Sequence, residues 1–225
     1  MKFYVIATPI GNLEDITFRA VKTLKEVDLI LCEDTRTTKK LLQRYEINKP
    51  TLSYHQHSKI SKIEKIFDLI KEGKTLALVS DAGTPTISDP GSFLVSQIRE
   101  EFGGDVEIIA IPGASALISA LSVSGLHTDQ FVFLGFLPHK KGRETLFKEI
   151  AEIKRTVAFY ESPHRILKTL ESLKKFVGNR KIVIARELTK IHEEVAVGSA
   201  EELIHYFETN SEKVRGEFVV LLSNL

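Results

Sequence analysis

The sequence predicts an α/β protein made of two domains. Short apolar runs alternate with stretches of helical periodicity along the whole chain, which is typical of strands joined by crossover helices. The 225 residues, of which 43% are hydrophobic, suffice for two cores. Strands follow each other closely near the C-terminus, so we expect a parallel doubly wound sheet in the first domain and a mixed sheet in the second.

Five apolar segments of the first half have the length of strands. The run TLALVS is apolar almost throughout, as in a strand that is buried on both faces of a parallel sheet. The predicted strands are Lys2–Thr8, Asp28–Glu33, Thr51–Tyr54, Thr75–Ser80 and Val106–Ile111.

Helices are predicted between these strands, where apolar residues recur at intervals of three and four. Ser58–Glu72 shows this spacing, with Ser58 as its N-cap. Asp89 is the predicted N-cap of a further helix that has Pro90 at its first position. The other predicted helices of the first half are Asp15–Val27, Thr35–Glu46 and Ala114–Val123.

The polar segment Gly125–Gln130 is the predicted domain boundary, which gives an N-terminal domain at 1–124 and a C-terminal domain at 125–225. Strands are predicted after it at Phe131–Gly135, Thr156–Glu161, Lys181–Arg186, Glu194–Ser199 and Gly216–Leu222. Helices are predicted at Arg143–Lys154, His164–Phe176 and Glu201–Glu208.

Composition excludes several classes of protein. A single cysteine, Cys32, allows neither an internal disulfide nor a cysteine-based zinc site, so we expect a cytoplasmic protein. The uncharged segment Ile108–Leu126 is broken by Pro112 and Gly113, so we expect no membrane span. Neither a G-x-G-x-x-G nor a Walker A pattern occurs, and no metal site is predicted.

Positive charge is concentrated in one segment. His139–Lys190 contains 14 Lys and Arg but 6 Asp and Glu, although the whole chain has a net charge of +1. Such a block suits a polyanion as partner. The alternative is that these lysines form solvated helix faces, because many alternate with glutamate.

The residues that follow the predicted parallel strands are rich in glycine, small hydroxyls and carboxylates. Ligands of such sheets bind beyond the carboxyl ends of the strands. Gly83 and Gly91 would let the backbone approach a ligand, and Asp81 could accept hydrogen bonds from ribose hydroxyls or an ammonium group. The alternative for Asp81 is a turn-forming role.

Taken together, these segments resemble the ribosomal RNA small subunit methyltransferase I family, a tetrapyrrole methylase-like, class III group of S-adenosylmethionine-dependent methyltransferases. The matching segments of the first half are TPIGNLEDIT (8–17), CEDTR (32–36), SDAGTPTISDPG (80–91) and PGASA (112–116). Those of the second half are GFLP (135–138) with Lys141 and Arg143, ESPHR (161–165), ARELTK (185–190) and RGE (215–217). Longer members carry a C-terminal extension beyond Leu225, so RNA contacts made by it are expected to be missing or replaced here.

The resemblance implies 2′-O-methylation of a cytidine in the decoding region of 16S ribosomal RNA by a homodimer. It also implies that S-adenosylmethionine is bound in a cleft between the two domains. Matched by motif, the implied cofactor contacts are Pro9, Gly11, Asp81, Ala82, Gly83, Thr84, Ala114 and Ser115, with Tyr160, Leu188 and Gly216 from the second domain.

A ribose hydroxyl is a weak acid, so a proton acceptor would assist methyl transfer. Strand geometry suggests Glu33, Asp34 or His55 for this role, and Asp34 could instead cap the following helix. Arg36 is a candidate for holding substrate phosphate. The other predicted RNA contacts are Lys140, Lys141, Arg143, Arg165 and Lys190.

Two other functions remain open at this point. One is a methyltransferase of the same fold acting on a small molecule such as a tetrapyrrole, against which the basic block argues. The other is a catalytically silent RNA- or ribosome-binding protein, against which the intact glycines and Asp81 argue.

Overall fold

The computed structural model describes residues 1–55, 60–89 and 91–224, and the chain divides into two units, Met1–Ser115 and Ala116–Leu225. Each unit contains one five-stranded sheet and its helices, which confirms the predicted fold class. The division lies earlier than the predicted boundary at Gly125, because the helix Ala116–Val123 packs against the strand Phe218–Leu222 of the second sheet. Ser58 and Pro90, predicted at the starts of two helices, lie outside the described residues.

The strands of the first sheet are β1 (Lys2–Ile6), β2 (Leu29–Cys32), β3 (Thr51–Ser53), β4 (Leu76–Val79) and β5 (Glu107–Ile111). The order across the sheet is β3-β2-β4-β1-β5. The sheet is parallel throughout, as predicted, because β1 pairs with β4 and β5 while β2 pairs with β3 and β4, all in the same direction.

Helices cover both faces of this sheet, so it is doubly wound. One apolar cluster joins Phe3 and Leu76 to the helices Ile60–Lys71 and Gly91–Phe102. The other joins Ile6 and Ala77 to the helices Phe18–Glu26 and Thr35–Arg44. This division follows from the alternation of side chains along each strand. The helices are α1 (Phe18–Glu26), α2 (Thr35–Arg44), α3 (Ile60–Lys71) and α4 (Gly91–Phe102).

Polar caps set where the first two helices begin. The Thr17 side chain accepts a hydrogen bond from the N–H of Ala20 at 3.1 Å, so α1 begins at Phe18, later than the predicted Asp15. A separate 3-10 turn, Leu13–Asp15, fills the space before it. Asp34 caps α2, which begins at Thr35 as predicted.

The strands of the second sheet are β6 (Phe131–Phe136), β7 (Thr156–Glu161), β8 (Ile182–Arg186), β9 (Glu194–Gly198) and β10 (Phe218–Leu222). The order across the sheet is β6-β7-β10-β8-β9. The sheet is mixed, as predicted: β6 and β7 are parallel, whereas β10 is antiparallel to both β7 and β8, and β9 is antiparallel to β8.

One large apolar cluster joins this sheet to three helices, with Phe147, Leu170 and Phe207 contributed by successive helices. The helices of the second unit are α5 (Ala116–Val123), α6 (Arg143–Glu152), α7 (Ile166–Val177) and α8 (Ala200–Thr209). Within the described ranges, no helix combines the length and the apolar character needed to cross a membrane.

Candidate cofactor site

The loops that follow the strands of the first sheet lie at one edge, because all five strands are parallel. The neighbouring strands β1 and β4 lead to helices on opposite faces, since α1 packs in one apolar cluster and α4 in the other. Ligands of doubly wound sheets bind in the crevice where adjacent loops diverge in this way. The candidate site is therefore centred on the loops after β1 and β4.

Thr8 and Gly83 connect these two loops by backbone hydrogen bonds in both directions. The N–H of Thr8 donates to the Gly83 carbonyl at 2.9 Å, and the N–H of Gly83 donates back at 3.0 Å. The Thr8 hydroxyl also donates to the Ser80 carbonyl at 3.0 Å. Gly83 has a φ of 82°, which residues with side chains rarely adopt, so glycine is required for this turn.

Two further hydrogen bonds tie the loop after β4 to its neighbours. The Thr84 hydroxyl donates to the Ala114 carbonyl at 3.2 Å and so reaches the loop after β5. The N–H of Asp34 donates to Oδ1 of Asp81 at 3.0 Å and so reaches the loop after β2. Four of the five strand-end loops are therefore joined to one another, as a shared binding edge requires.

The predicted cofactor contacts of the first unit differ in exposure. Pro9 and Gly83 are buried and act as framework, whereas Gly11, Asp81 and Ala82 are exposed. The half-buried members are Thr84, Ala114 and Ser115. A ligand at this edge would meet the Asp81 carboxylate, which suits an ammonium group or ribose hydroxyls.

Backbone strain is concentrated in the loop after β4. Thr86 and Ser88 have φ values of 77° and 64°, in the left-handed region that disfavours residues with side chains. Asp89 holds this turn, because its Oδ1 accepts hydrogen bonds from the N–H groups of Thr86 at 2.6 Å and Gly91 at 3.0 Å. The bond to Gly91 fits the predicted N-cap role of Asp89. Strain that is held in place in this way is typical of functional loops.

Glu33, a candidate proton acceptor, follows β2 and is half-buried. Burial raises the pKa of its carboxyl, and the negative charges of Asp89 and Asp81 raise it further. A hydrogen bond from the backbone of Asp81 lowers this pKa by a smaller amount. A carboxylate with a raised pKa is a better base near neutral pH. The raised pKa makes the Glu33 carboxylate a stronger base than an ordinary glutamate.

Asp34, the second candidate, is engaged as the N-cap of α2. Its side chain accepts the N–H of Arg36 at 2.8 Å, and Nη2 of Arg36 lies 2.6 Å from Oδ2. These hydrogen bonds from the side chain and backbone of Arg36 lower the pKa of Asp34 to about 2. Such a carboxylate is a weak base, so the structure favours the capping alternative. His55, the third candidate, is exposed just after β3.

Carboxylates near this edge make hydrogen bonds within the protein. Asp34 binds Arg36, Asp81 accepts the Asp34 N–H, and Asp89 accepts the N–H of Thr86. Across the described ranges, no group of three or more His, Cys, Asp or Glu side chains is arranged to hold a metal ion.

The three predicted cofactor contacts of the second unit lie at the ends of its strands or in the loops beside them. Tyr160 is near the end of β7 and half-buried, and burial raises the pKa of its phenol. Leu188 is buried in the loop after β8, and Gly216 lies just before β10. Glu187 connects these two loops, because its N–H donates to the Glu217 carbonyl at 3.0 Å.

Lys190, a predicted RNA contact, binds two carboxylates of the protein itself. Its Nζ lies 2.8 Å from Oε1 of Glu187 and 2.7 Å from Oε2 of Glu217. The loop carrying it is strained, since Glu187 and Thr189 have φ values of 52° and 67°. Lys190 therefore holds this loop together, and its charge is largely balanced without RNA.

Arg143 and Arg165 do not occupy the RNA-facing positions predicted for them. Their side chains are 10% and 14% exposed, and both point to Glu161, whose side chain is fully buried. Nη2 of Arg165 lies 2.7 Å from Oε1 of Glu161, and Nη2 of Arg143 donates to the Thr169 hydroxyl at 2.7 Å. The buried carboxylate turns both guanidinium groups inward, which does not favour the predicted RNA contacts.

Lys140 and Lys141, which are also predicted RNA contacts, lie at the surface. Both are exposed, and neither side chain makes an ion pair or hydrogen bond within the part of the chain that the structure describes. Arg36 is also exposed, with 88% of its side chain accessible, although it is paired with Asp34. Fewer of the predicted RNA-contacting side chains are therefore free at the surface than the number of basic residues in the sequence suggests.

Sequence reasoning missed two residues that organise these sites, Thr8 and Glu161. Thr8 fixes the loop after β4 through hydrogen bonds of its backbone and its hydroxyl, and Glu161 holds two arginines. A signal for Glu161 was present, because it is a charged residue ending an apolar strand, four residues before Arg165. Such a carboxylate needs a partner, and Arg165 is within reach.

A family model described as tetrapyrrole (corrin/porphyrin) methylases matches residues 2–204. The chain belongs to the tetrapyrrole methylase family. Among the curated relatives of this methylase, the ribosomal RNA small subunit methyltransferase I of Thermotoga maritima is 49% identical over 222 residues, covering 99% of this chain and 98% of that protein. The protein of the same name from Bacillus subtilis is 47% identical and covers 97% of this chain and 74% of its own length. The resemblance found in the motifs is confirmed.

Solved structures of other proteins share the fold. A cobalt precorrin-4 methyltransferase of cobalamin biosynthesis aligns with a TM-score of 0.70 at 18% identity, covering 99% of this methylase and 94% of that chain. A diphthine synthase aligns with a TM-score of 0.72 at 15% identity, covering 99% and 89%. At these identities the similarity concerns the fold alone.

Proposed function

We propose that this methylase transfers the methyl group of S-adenosylmethionine to the ribose 2′-hydroxyl of a cytidine in the decoding region of 16S ribosomal RNA. The observation that carries the proposal is the similarity to ribosomal RNA small subunit methyltransferase I proteins at 44–49% identity over nearly the whole chain. The retained strand-end motifs and the contacts between their loops support it.

The first unit supplies chemistry that fits the methionine end of the cofactor. A carboxylate group needs N–H donors, and an ammonium group needs acceptors. The loop after β4 offers the Asp81 carboxylate beside exposed backbone at Ala82, and the segment at Ala114 and Ser115 leads into α5. On this proposal Asp81 binds the ammonium group, and the turn held by Thr8 fixes its position.

Methyl transfer from a sulfonium is an in-line displacement: the oxygen–carbon bond forms as the sulfur–carbon bond breaks, and the positive charge on sulfur disappears. A protein assists such a step mainly by alignment and by excluding water. The hydroxyl proton must leave as the new bond forms. We assign its removal to Glu33, because its pKa is raised, whereas that of Asp34 is lowered.

Three further features belong to the proposal. We expect 16S ribosomal RNA or the small ribosomal subunit as partner, a homodimer as the working assembly, and a cytoplasmic location where that RNA is made. Tyr160, Leu188 and Gly216 remain predicted cofactor contacts. Analytical ultracentrifugation tests the assembly, and a sedimentation coefficient of a monomer at working concentration would contradict it.

The decisive experiment uses the purified full chain with labelled S-adenosylmethionine and, in parallel, free 16S RNA, small subunits lacking this methyl group and a tetrapyrrole. We expect label only in RNA, at one cytidine ribose located by nuclease digestion and mass spectrometry. Label in the tetrapyrrole alone would replace the proposal with small-molecule methylation. RNA binding without cofactor binding would instead indicate a catalytically silent protein.

A further inference from the structure

A β-bulge near the end of β6 places two aromatic rings on the same side. In the pairing with β7, Phe133 lies opposite Ala158 and Phe136 lies opposite Tyr160, so β6 has one extra residue in this interval. Gly135, in the bulge, has a φ of 64°. In a regular strand residues 133 and 136 would face opposite sides. Here the centroids of their rings lie 5.0 Å and 5.4 Å from that of Tyr160.

The outcome is a solvent-accessible phenylalanine. Phe136 is 59% exposed, although its ring leans on Tyr160 along one side. A regular strand would have turned this ring to the other face of the sheet. The bulge therefore presents an aromatic surface to solvent.

The chain that follows Phe136 is anchored to the buried arginines. Nη1 of Arg165 donates to the Leu137 carbonyl at 2.8 Å, and Nη1 of Arg143 donates to the Pro138 carbonyl at 3.2 Å. Both arginines are oriented by Glu161. Because its entry is held, the turn carrying Lys140 and Lys141 starts from a fixed position.

We propose that Phe136, Lys140 and Lys141, termed the 136–141 surface, bind single-stranded RNA of the substrate. This inference rests on the proposed function and names the part of the second unit that contacts RNA. An exposed ring that is followed four and five residues later by lysines forming no ion pair in the described residues matches a nucleotide, because a base stacks on the ring while neighbouring phosphates bind the lysines. An apolar protein partner would leave both lysine charges unbalanced.

The surrounding charge favours the same occupant. The segment His139–Lys190 carries 14 basic and 6 acidic residues, and several of its basic groups, including Arg143 and Arg165, are already neutralised internally. The lysines of the 136–141 surface are thus among the exposed basic groups of this block that form no ion pair in the described residues and are left for a polyanion. Their anchored turn also limits the entropy lost on binding.

The test measures binding of a fluorescein-labelled single-stranded oligoribonucleotide to the full chain by fluorescence anisotropy at several salt concentrations. Phe136→Leu removes the ring and should weaken binding about tenfold, whereas Phe136→Tyr keeps it and should stay within about twofold of the wild type. K140A/K141A should reduce the slope of log affinity against log salt by about 1.4, because two phosphate contacts are lost.

The matched control is K39A/K40A, which removes two adjacent exposed lysines of α2 that make no ion pair in the described part of the chain. If K39A/K40A and K140A/K141A lose the same RNA affinity, net charge alone determines binding and the proposal is overturned. An affinity of Phe136→Leu for the oligoribonucleotide equal to that of the wild type would also overturn the proposal. A loss of affinity seen only with intact small subunits would overturn it too, because it would indicate contact with a ribosomal protein.

Methyl transfer by the wild type separates this inference from the proposed function. If the wild type methylates RNA while Phe136→Leu and K140A/K141A bind and methylate RNA equally well, the 136–141 surface is wrong and the function stands. If the wild type binds S-adenosylmethionine but methylates no RNA, the proposed function fails. Thermal melting of each variant confirms that it is folded, which is expected because all three side chains are exposed.

Discussion

Glu161 and Arg165 form a buried ion pair in the second unit, with Nη2 of Arg165 2.7 Å from Oε1 of Glu161. The carboxylate also accepts the N–H of Ser162 at 2.7 Å and the hydroxyl of Thr169 at 2.6 Å. Arg143 lies on its other side, 3.9 Å from Oε2. One carboxylate thus compensates two buried guanidinium groups and, through them, holds the start of the 136–141 surface.

Replacing Glu161 with alanine should reduce the free energy of unfolding by about 3–5 kcal/mol, because two buried cations lose their counter-charge. Urea denaturation of the full chain measures the change. The control is Glu201→Ala, which breaks the exposed ion pair with Lys174 and should cost about 0–1 kcal/mol. Similar losses in the two variants would show that the buried network contributes little to stability.

Gly216→Ala should destabilise the second unit more than Gly125→Ala. Both glycines have positive φ, 86° and 65°, so both substitutions carry backbone strain of about 1–2 kcal/mol. An added Cβ at Gly216 would also collide with the Glu187 side chain, whereas nothing lies within 4 Å at Gly125. The difference between the two melting temperatures isolates the collision, and equal melting temperatures would contradict it.

Much of the fold follows from local sequence. The strands and helices alternate, and the handedness of crossover connections makes such a repeat a parallel sheet whose strand ends share an edge. The loops at Thr8 and Gly83 could therefore be predicted to meet. The residues at which helices begin were less predictable. The N-cap of α1 is Thr17, later than the predicted start at Asp15, and the choice between such neighbouring polar residues depends on a single local hydrogen bond.

The inward direction of Arg143 could not be predicted. Its partners Glu161 and Thr169 lie on a later strand and a later helix. The residues next to Arg143 in the sequence contain no pattern that predicts these contacts. Lys190 is similar, because one of its two carboxylates, Glu217, belongs to a distant loop. The sequence shows where a positive charge occurs, while burial by distant residues decides whether the charge reaches solvent.

Asp81→Ala should weaken binding of S-adenosylmethionine about 10- to 100-fold, because a hydrogen bond to a charged group contributes about 1.5–3 kcal/mol. Asp81→Asn keeps an acceptor for the Asp34 N–H and so separates loss of charge from loss of loop structure. Isothermal calorimetry measures both, with the exposed Asp105→Ala as control. Unchanged affinity in both Asp81 variants would remove this residue from the cofactor site.

Glu33→Gln should make the protein more stable at neutral pH. Burial, together with the charges of Asp89 and Asp81, raises the pKa of Glu33 in the folded state, so folding favours its protonated form. The stabilisation that the protonated Glu33 carboxyl gives to the wild type is present below the unfolded-state pKa and is lost as pH rises through the folded-state pKa. The gain from Glu33→Gln should therefore be clear at pH 7 and vanish in acid. Urea titrations across this range check it, and a gain independent of pH would contradict the assignment.

The same substitution separates the candidate proton acceptors. If Glu33 removes the ribose proton, Glu33→Gln should lower kcat about 10²- to 10⁴-fold and leave cofactor affinity unchanged, because the amide keeps the shape but not the basicity. Asp34→Asn is the matched control one residue along, since asparagine also caps helices and the pKa of Asp34 is already about 2. The pH profile of the wild type should show a rise in kcat governed by one acidic group, absent in Glu33→Gln. A large loss in Asp34→Asn with normal turnover in Glu33→Gln would reverse the assignment, because the low pKa of Asp34 would then be overcome when substrate displaces Arg36.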